Sequence, residues 1–174
     1  MKRRKCTAIV LAAGQGKRMG SRIQKQFLEI CGRPVLYYSL AAFQDSPLID
    51  SMILVTGAAE IPFVQKEIVE KYGFSKVKMV VEGGAERYAS VWKGLQALEH
   101  TLTEEEKEGC VFIHDGVRPF IHEEILSRAF DAVEKYHACA VGMPSKDTVK
   151  IADQDGFVAM TPARSLVWCI QTPQ

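Results

Sequence analysis

Leu11-Ala12-Ala13-Gly14-Gln15-Gly16-Lys17-Arg18-Met19-Gly20 follows directly on the apolar run Ala8–Leu11, and the fold is read from this junction. A short apolar run that breaks into glycines and cations is a buried strand feeding a strand-to-helix turn. Alanines and glycines let the backbone come close to a ligand, and successive N–H groups ahead of a helix form a nest for anions at the strand's carboxyl end. Gly14 and Gly16 open that nest, and Lys17 and Arg18 bring the positive charge that a chain of phosphates needs. Two familiar glycine loops fail on spacing. A Walker A loop closes on Gly-Lys-Ser/Thr, which is absent, and the dinucleotide fingerprint needs glycine where Met19 stands.

Outward from this junction the same alternation recurs. Apolar runs at Ser51–Val55, Val77–Val81, Cys110–Ile113 and Ala138–Val141 read as strands, and Val35–Phe43, Ile61–Tyr72, Tyr88–Leu98 and Glu123–Tyr136 read as helices. The last is plainest, because Ile125, Ala129 and Val133 form one apolar stripe with Leu126 and Phe130 beside it. Strands alternating with helices predict an α/β, Rossmann-like, mostly parallel sheet with helices on both faces. Beyond Val141, Thr148–Ala152 and Phe157–Thr161 flank Asp153-Gln154-Asp155-Gly156, a hairpin-turn signal. A protruding β-arm is therefore expected over about 145–170. Arms of this kind commonly pair with a twin, which points to a homodimer.

The 174 residues, 47% of them hydrophobic, suit one domain over 1–174. The stop at Gln174, just after Gln171-Thr172-Pro173, with no closing helix, creates the expectation that a C-terminal part is missing. Lysine and arginine number 22 against 21 acidic residues, a net charge of +1 that gives no reason to expect nucleic acid or an anionic membrane as partner. Five cysteines without a CxxC pair argue against a disulfide framework or a zinc knuckle and favour a reducing cytoplasm. No run approaches the roughly 18 apolar residues of a spanning helix.

Three more segments carry charge to strand ends. Lys25, in Ile23-Gln24-Lys25-Gln26-Phe27, is close enough in sequence for its ammonium to reach phosphates held by the first loop. Glu82-Gly83-Gly84-Ala85-Glu86-Arg87 follows the third strand, with Ser90 in the first turns of the next helix. The competing reading makes Gly-Gly a plain turn and Ser90 a helix cap. His114-Asp115-Gly116-Val117-Arg118-Pro119 ends the fourth strand. A carboxylate there suits Mg²⁺, which takes one or two carboxylates with phosphate oxygens and water, so Asp115 is the expected metal ligand. The competing reading pairs Asp115 with Arg118, and His114 reads as a satisfied structural donor. The three strand ends marked by glycine or proline, after Leu11, after Val81 and after Ile113, should meet at one sheet edge, where ligands of parallel sheets gather.

With these motifs in view, the chain resembles the 2-C-methyl-D-erythritol 4-phosphate cytidylyltransferases, within the wider nucleotidyltransferase group. The likeness runs from Ala8 to Gln174. It rests on Leu-Ala-Ala-Gly-Gln-Gly-Lys-Arg-Met at 11–19, Lys-Gln-Phe at 25–27, Gly-Gly-Ala-Glu-Arg at 83–87 and His-Asp-Gly-Val-Arg-Pro-Phe at 114–120. Asp-Thr-Val-Lys at 147–150, Thr-Pro-Ala-Arg at 161–164 and Gln-Thr-Pro-Gln at 171–174 complete it. The resemblance implies transfer of CMP from CTP to a sugar-alcohol phosphate, with Arg18 and Lys25 stabilising charge at the α-phosphorus and Asp115 helping to hold Mg²⁺. It implies nucleotide contacts at Ala12, Ala13, Gly14, Gly16, Gly84, Ala85, Ser90, Asp115 and Gly116. It also implies that Thr148 and Arg164 reach from the arm into the partner's site, with Thr172 near the same substrate. Gln24 stands where the family usually has proline, and Ala85 where some relatives carry aspartate. Ribitol 5-phosphate cytidylyltransferases share the loop, the Lys-Gln pair and the His-Asp cluster, and a catalytically impaired dimerisation module is the reading outside enzymes.

Overall fold

The computed structural model of the chain describes residues 3–14, 23–101, 103 and 106–170. In chain order the strands are β1 (Cys6–Ala12), β2 (Glu29–Ile30), β3 (Arg33–Pro34), β4 (Ser51–Thr56), β5 (Val77–Glu82), β6 (Cys110–Asp115), β7 (Gly142–Pro144), β8 (Ile151–Ala152), β9 (Val158–Met160) and β10 (Trp168–Ile170). The main helices are α1 (Val35–Asp45), α2 (Ile61–Phe63, continued by a π-helical stretch over Val64–Glu70), α3 (Arg87–Glu99) and α4 (Glu123–Tyr136).

β1 is buried at every position and forms the middle of a parallel sheet of order β5-β4-β1-β6. Its alternate side chains feed two cores. Ala8, Val10 and Ala12 join Leu36, Leu40 and Phe43 of α1, Val64 and Ile68 after α2, and Leu126 of α4. Ile9 and Leu11 join Ile53, Val55 and Leu98 on the opposite face, under α3. A strand covered on both faces has no side left for polar residues, which is why its sequence is an unbroken apolar run. Helices therefore lie on both faces, as expected.

The expected fifth strand at Ala138–Val141 is not one. An apolar run becomes a strand only where a neighbour accepts its backbone hydrogen bonds, and here the next residues, β7, pair antiparallel with β10 instead. Among the described residues β6 has β1 as its one sheet neighbour. A cavity of about 670 Å³ runs beside it, walled by β6, α4 and the segment 137–143.

The arm is a two-stage ladder. β7 and β10 close its base, and β8 and β9 form its tip. Asp153 makes the tip turn by accepting the N–H groups of Asp155 and Phe157 on its Oδ1, at 3.0 and 2.8 Å, while Gly156 takes the left-handed φ of +86°. Phe157, Val158, Met160, Leu166 and Trp168 along the arm are all exposed. Among the described residues no helix is long and apolar enough to cross a membrane.

Candidate functional site

Parallel register sets the strand ends in line. Ala12 stands opposite Thr56, Thr56 opposite Glu82, and Leu11 opposite Asp115. Four turns leave this carboxyl edge, at Ala13–Gly14, at Gly57–Glu60, at Gly83–Gly84 and at Gly116–Arg118. Gly16, Arg18 and Thr172, which the sequence singles out, lie outside the described residues.

The turn after β6 lies directly on the end of β1. Gly116 N–H donates to the Leu11 carbonyl at 2.8 Å. A Cβ at Gly116 would stand 2.7 Å from Leu36 Cδ1 and 3.2 Å from the Leu11 oxygen, so glycine permits the approach. Ser39 of α1 clips the turn from below, its hydroxyl 3.0 Å from the Gly116 carbonyl and 3.2 Å from that of Arg118. His114 is buried edge-on to Phe43 with Nε2 3.1 Å from the Arg118 carbonyl. Such a contact makes Nε2–H the donor and His114 a structural residue.

Burial pushes the His114 pKa below its ordinary value, outweighing the Arg118 carbonyl and the Asp115 carboxylate, which both favour the charged ring. As pH falls from ~6.5, the unfolded chain takes up a proton that the folded one refuses, so stability drains away until the lowered folded pKa is passed. Denaturant midpoints measured at pH 7.5 and 5.5 should fall more steeply for the wild type than for His114→Gln. Equal slopes would remove His114 from this account.

Asp115 sits between two guanidinium groups. Arg87 Nε donates to Oδ1 at 3.0 Å, with its Nη2 2.9 Å from the same oxygen but out of line for a hydrogen bond. Arg118 Nε meets Oδ2 at 3.3 Å. The competing sequence reading, a pairing of Asp115 with Arg118, is thus realised. One carboxylate against two arginines leaves a surplus positive charge around Asp115, which favours an anion there. Among the described residues no three His, Cys, Asp or Glu side chains cluster as a ready-made cation site. A single carboxylate still fits Mg²⁺ when phosphate oxygens and water complete the shell.

The turn after β5 is held from inside. Ser90 accepts the Gly84 N–H on its hydroxyl oxygen at 3.0 Å and lies 3.2 Å from the Glu86 carbonyl. It is buried on the fourth turn position of α3, whose N-cap is Glu86, so Ser90 braces the turn and is not the helix cap. Lys93 adds a second brace, with Nζ 3.0 Å from the Gly83 carbonyl and 3.4 Å from Glu82. A Cβ at Gly84 would stand 2.4 Å from Ala89 Cβ and 3.0 Å from the Ala89 carbonyl carbon. Those atoms are fixed to the helix, so Gly84→Ala should cost ~1–3 kcal/mol of stability, as overpacking does. Chemical denaturation checks this, and an unchanged midpoint would contradict it.

Lys25 opens a 3-10 turn, Lys25–Phe27, that lies against the start of the first loop. The contact is made by buried Gln26, whose Nε2 is 2.6 Å from the Ala12 carbonyl and 3.2 Å from that of Gly14. Phe27 adds an edge-to-face contact with Phe63 at 5.2 Å. The structure therefore gathers Ala12, Ala13, Gly14, the Lys25 turn, Gly84, Ala85, Ser90, Asp115 and Gly116 at one edge. Thr148 and Arg164 stand exposed on the arm. Ser39 and Lys93 carry no signal in the sequence, and Gln26 stands there only as part of the Lys-Gln pair, with no role of its own. Only the position of Gln26 beside Lys25 could have flagged it.

A parallel α/β domain whose glycine turns and cations meet at the carboxyl edge belongs to the class of nucleotide-binding folds. The sequence profile of IspD, 2-C-methyl-D-erythritol 4-phosphate cytidylyltransferase, matches residues 6–174. The chain is 47% identical over 167 residues to the protein of that name from Geobacter metallireducens, covering 96% of this chain and 70% of the relative. It is 49% identical over 170 residues to that of Lachnoclostridium phytofermentans, covering 98% and 70%. Its structure resembles the 4-diphosphocytidyl-2C-methyl-D-erythritol synthase of Anaerococcus prevotii with a TM-score of 0.78 and 36% identity, over 98% of this chain and 68% of that one. The chain belongs to the 2-C-methyl-D-erythritol 4-phosphate cytidylyltransferase family.

Proposed function

We propose that this protein transfers CMP from CTP to 2-C-methyl-D-erythritol 4-phosphate, releasing pyrophosphate, as a single nucleotidyltransferase domain with its arm. The observation that carries the reading is the meeting of three glycine turns with Lys25, Arg87, Arg118 and Asp115 at one sheet edge, in a chain whose family bears that activity in its name. The cytidine and ribose lie against the small residues Ala12, Ala13, Gly14, Gly16, Gly84, Ala85 and Gly116. Ser90 serves by holding its turn in shape.

In the reaction a phosphate oxygen of the sugar alcohol attacks the α-phosphorus in line. The new P–O bond forms as the bond to the bridging oxygen of pyrophosphate breaks, and the electron pair leaves with pyrophosphate. No covalent intermediate with the chain is needed. Lys25 and Arg18 hold the triphosphate and neutralise charge that grows on the α-phosphoryl oxygens, while the edge keeps attacking and leaving groups aligned. Mg²⁺, held by Asp115 with phosphate oxygens, would add further charge neutralisation to the triphosphate.

The arm presents Thr148 and Arg164 to the sugar-alcohol phosphate of a partner subunit, with Thr172 near it, so the active form is a homodimer. The exposed apolar side chains along the arm support that role. All five cysteines are free thiols, which fits a reducing cytoplasm. Pyrophosphate release from CTP in Mg²⁺ buffer, with methylerythritol phosphate or ribitol 5-phosphate as acceptor, tests the substrate. Release with the first acceptor alone is expected. Release with ribitol 5-phosphate alone would overturn the choice.

A further inference from the structure

The side chains on either side of Lys25 belong to one hydrogen-bonded chain that crosses from the end of β4 to the end of β1. Glu60 closes the 3-10 turn Ala58–Glu60 that follows β4. Its Oε1 accepts Gln24 Nε2 at 2.5 Å. Gln24 Oε1 in turn accepts Gln26 Nε2 at 2.5 Å, and the same Nε2 reaches the Ala12 and Gly14 carbonyls. Gly57 makes room for this arrangement, because a Cβ there would fall 2.1 Å from Glu60 Oε2.

The chain has a direction and a shortage. Carboxylate accepts from amide, and amide accepts from amide, so Glu60 orients Gln24 and Gln24 orients Gln26. Gln26, 1% exposed, then offers two protons to three acceptors, so at least one proton is shared between two of them. Glu60 is thus joined through two amide side chains to the carbonyls at the start of the first loop. Lys25 lies between the two glutamines. The side chains of its two neighbours tie it on one side to the turn after β4 and on the other to the carbonyls that begin the first loop.

We infer that Glu60, Gln24 and Gln26 are positioning residues that fix Lys25 relative to the loop at Ala12–Gly14. The inference rests on the role given to Lys25 above. Its value is geometric, since a misplacement of about 1 Å in a catalytic group can cost ~10²-fold in rate.

The test compares turnover of CTP with methylerythritol phosphate in Gln24→Ala, Glu60→Ala and their double variant, each made in the wild type and in Lys25→Ala. Gln26→Leu is a third single variant, and because its site is buried the two half-buried positions carry the test if it fails to fold. In the wild-type background each single variant should lower kcat ~10-fold or more, and the double variant should lose no more than the worse single. In Lys25→Ala the same changes should cost nothing further, an outcome that loss of fold alone does not produce. Wild-type kcat in both Gln24→Ala and Glu60→Ala, or an undiminished loss in Lys25→Ala, overturns the inference. Full turnover in Lys25→Ala itself would instead strike at the role of Lys25.

Discussion

Lys25→Ala is expected to lower turnover ~10²–10³-fold with little change in stability, the scale on which enzymes lose rate when one charge-stabilising donor is removed. The turn that carries Lys25 is anchored by its neighbours, through Gln26 to β1 and through Phe27 to Phe63, so the fold does not depend on the ammonium. The α-phosphoryl oxygens gain charge as the acceptor attacks, and a cation held at a fixed place stabilises that state more than the ground state. The loss should thus fall on kcat more than on KM. Arg18→Ala should behave alike. Steady-state kinetics beside a thermal melt checks both, and wild-type kcat in either variant would remove that residue from the mechanism.

Asp115→Asn is expected to cost turnover on the same ~10²-fold scale. The substitution keeps the shape of the side chain and removes the charge shared by Arg87 and Arg118. Those pairs are partly exposed, and such pairs add little to stability, so the melt should move little. What changes is the edge itself. Two guanidinium groups lose the carboxylate that orients them, and magnesium would lose the protein ligand proposed for it. The Mg²⁺ concentration needed for half-maximal rate should rise in the variant, and chelation by EDTA should abolish turnover in the wild type. An unchanged Mg²⁺ response would release Asp115 from its metal role.

Much of this edge is legible in the amino acids, for identifiable reasons. β1 and β4 are found because strands buried on both faces need apolar side chains, and β5 and β6 because their partly covered runs are still mostly Val, Met, Phe and Ile. Their observed ends run on to polar residues, Thr56, Glu82 and His114-Asp115, because backbone pairing continues after the apolar run stops. Helix α4 is read to the residue because one face is core and the other is solvent. Ala138–Val141 misleads because an apolar run does not say which edge it will meet. The glycine turns are visible because glycine is chosen where Cβ would collide, as Gly84 and Gly116 show. The roles of Ser39, Lys93 and Gln26 are not visible, since each acts on a backbone carbonyl that only the folded chain brings near. Ser39 reaches Gly116 across 77 residues, a pairing that no local pattern encodes.

The most direct test of the account is a crystal structure of the protein with CTP and Mg²⁺. The account predicts the triphosphate at the carboxyl edge, between the loop after β1 and the Lys25 turn, with the α-phosphate facing Asp115 across the end of β6. Nucleotide density in the apolar cavity between β6 and α4, or at the opposite edge of the sheet beside Lys5 and Lys78, would contradict it.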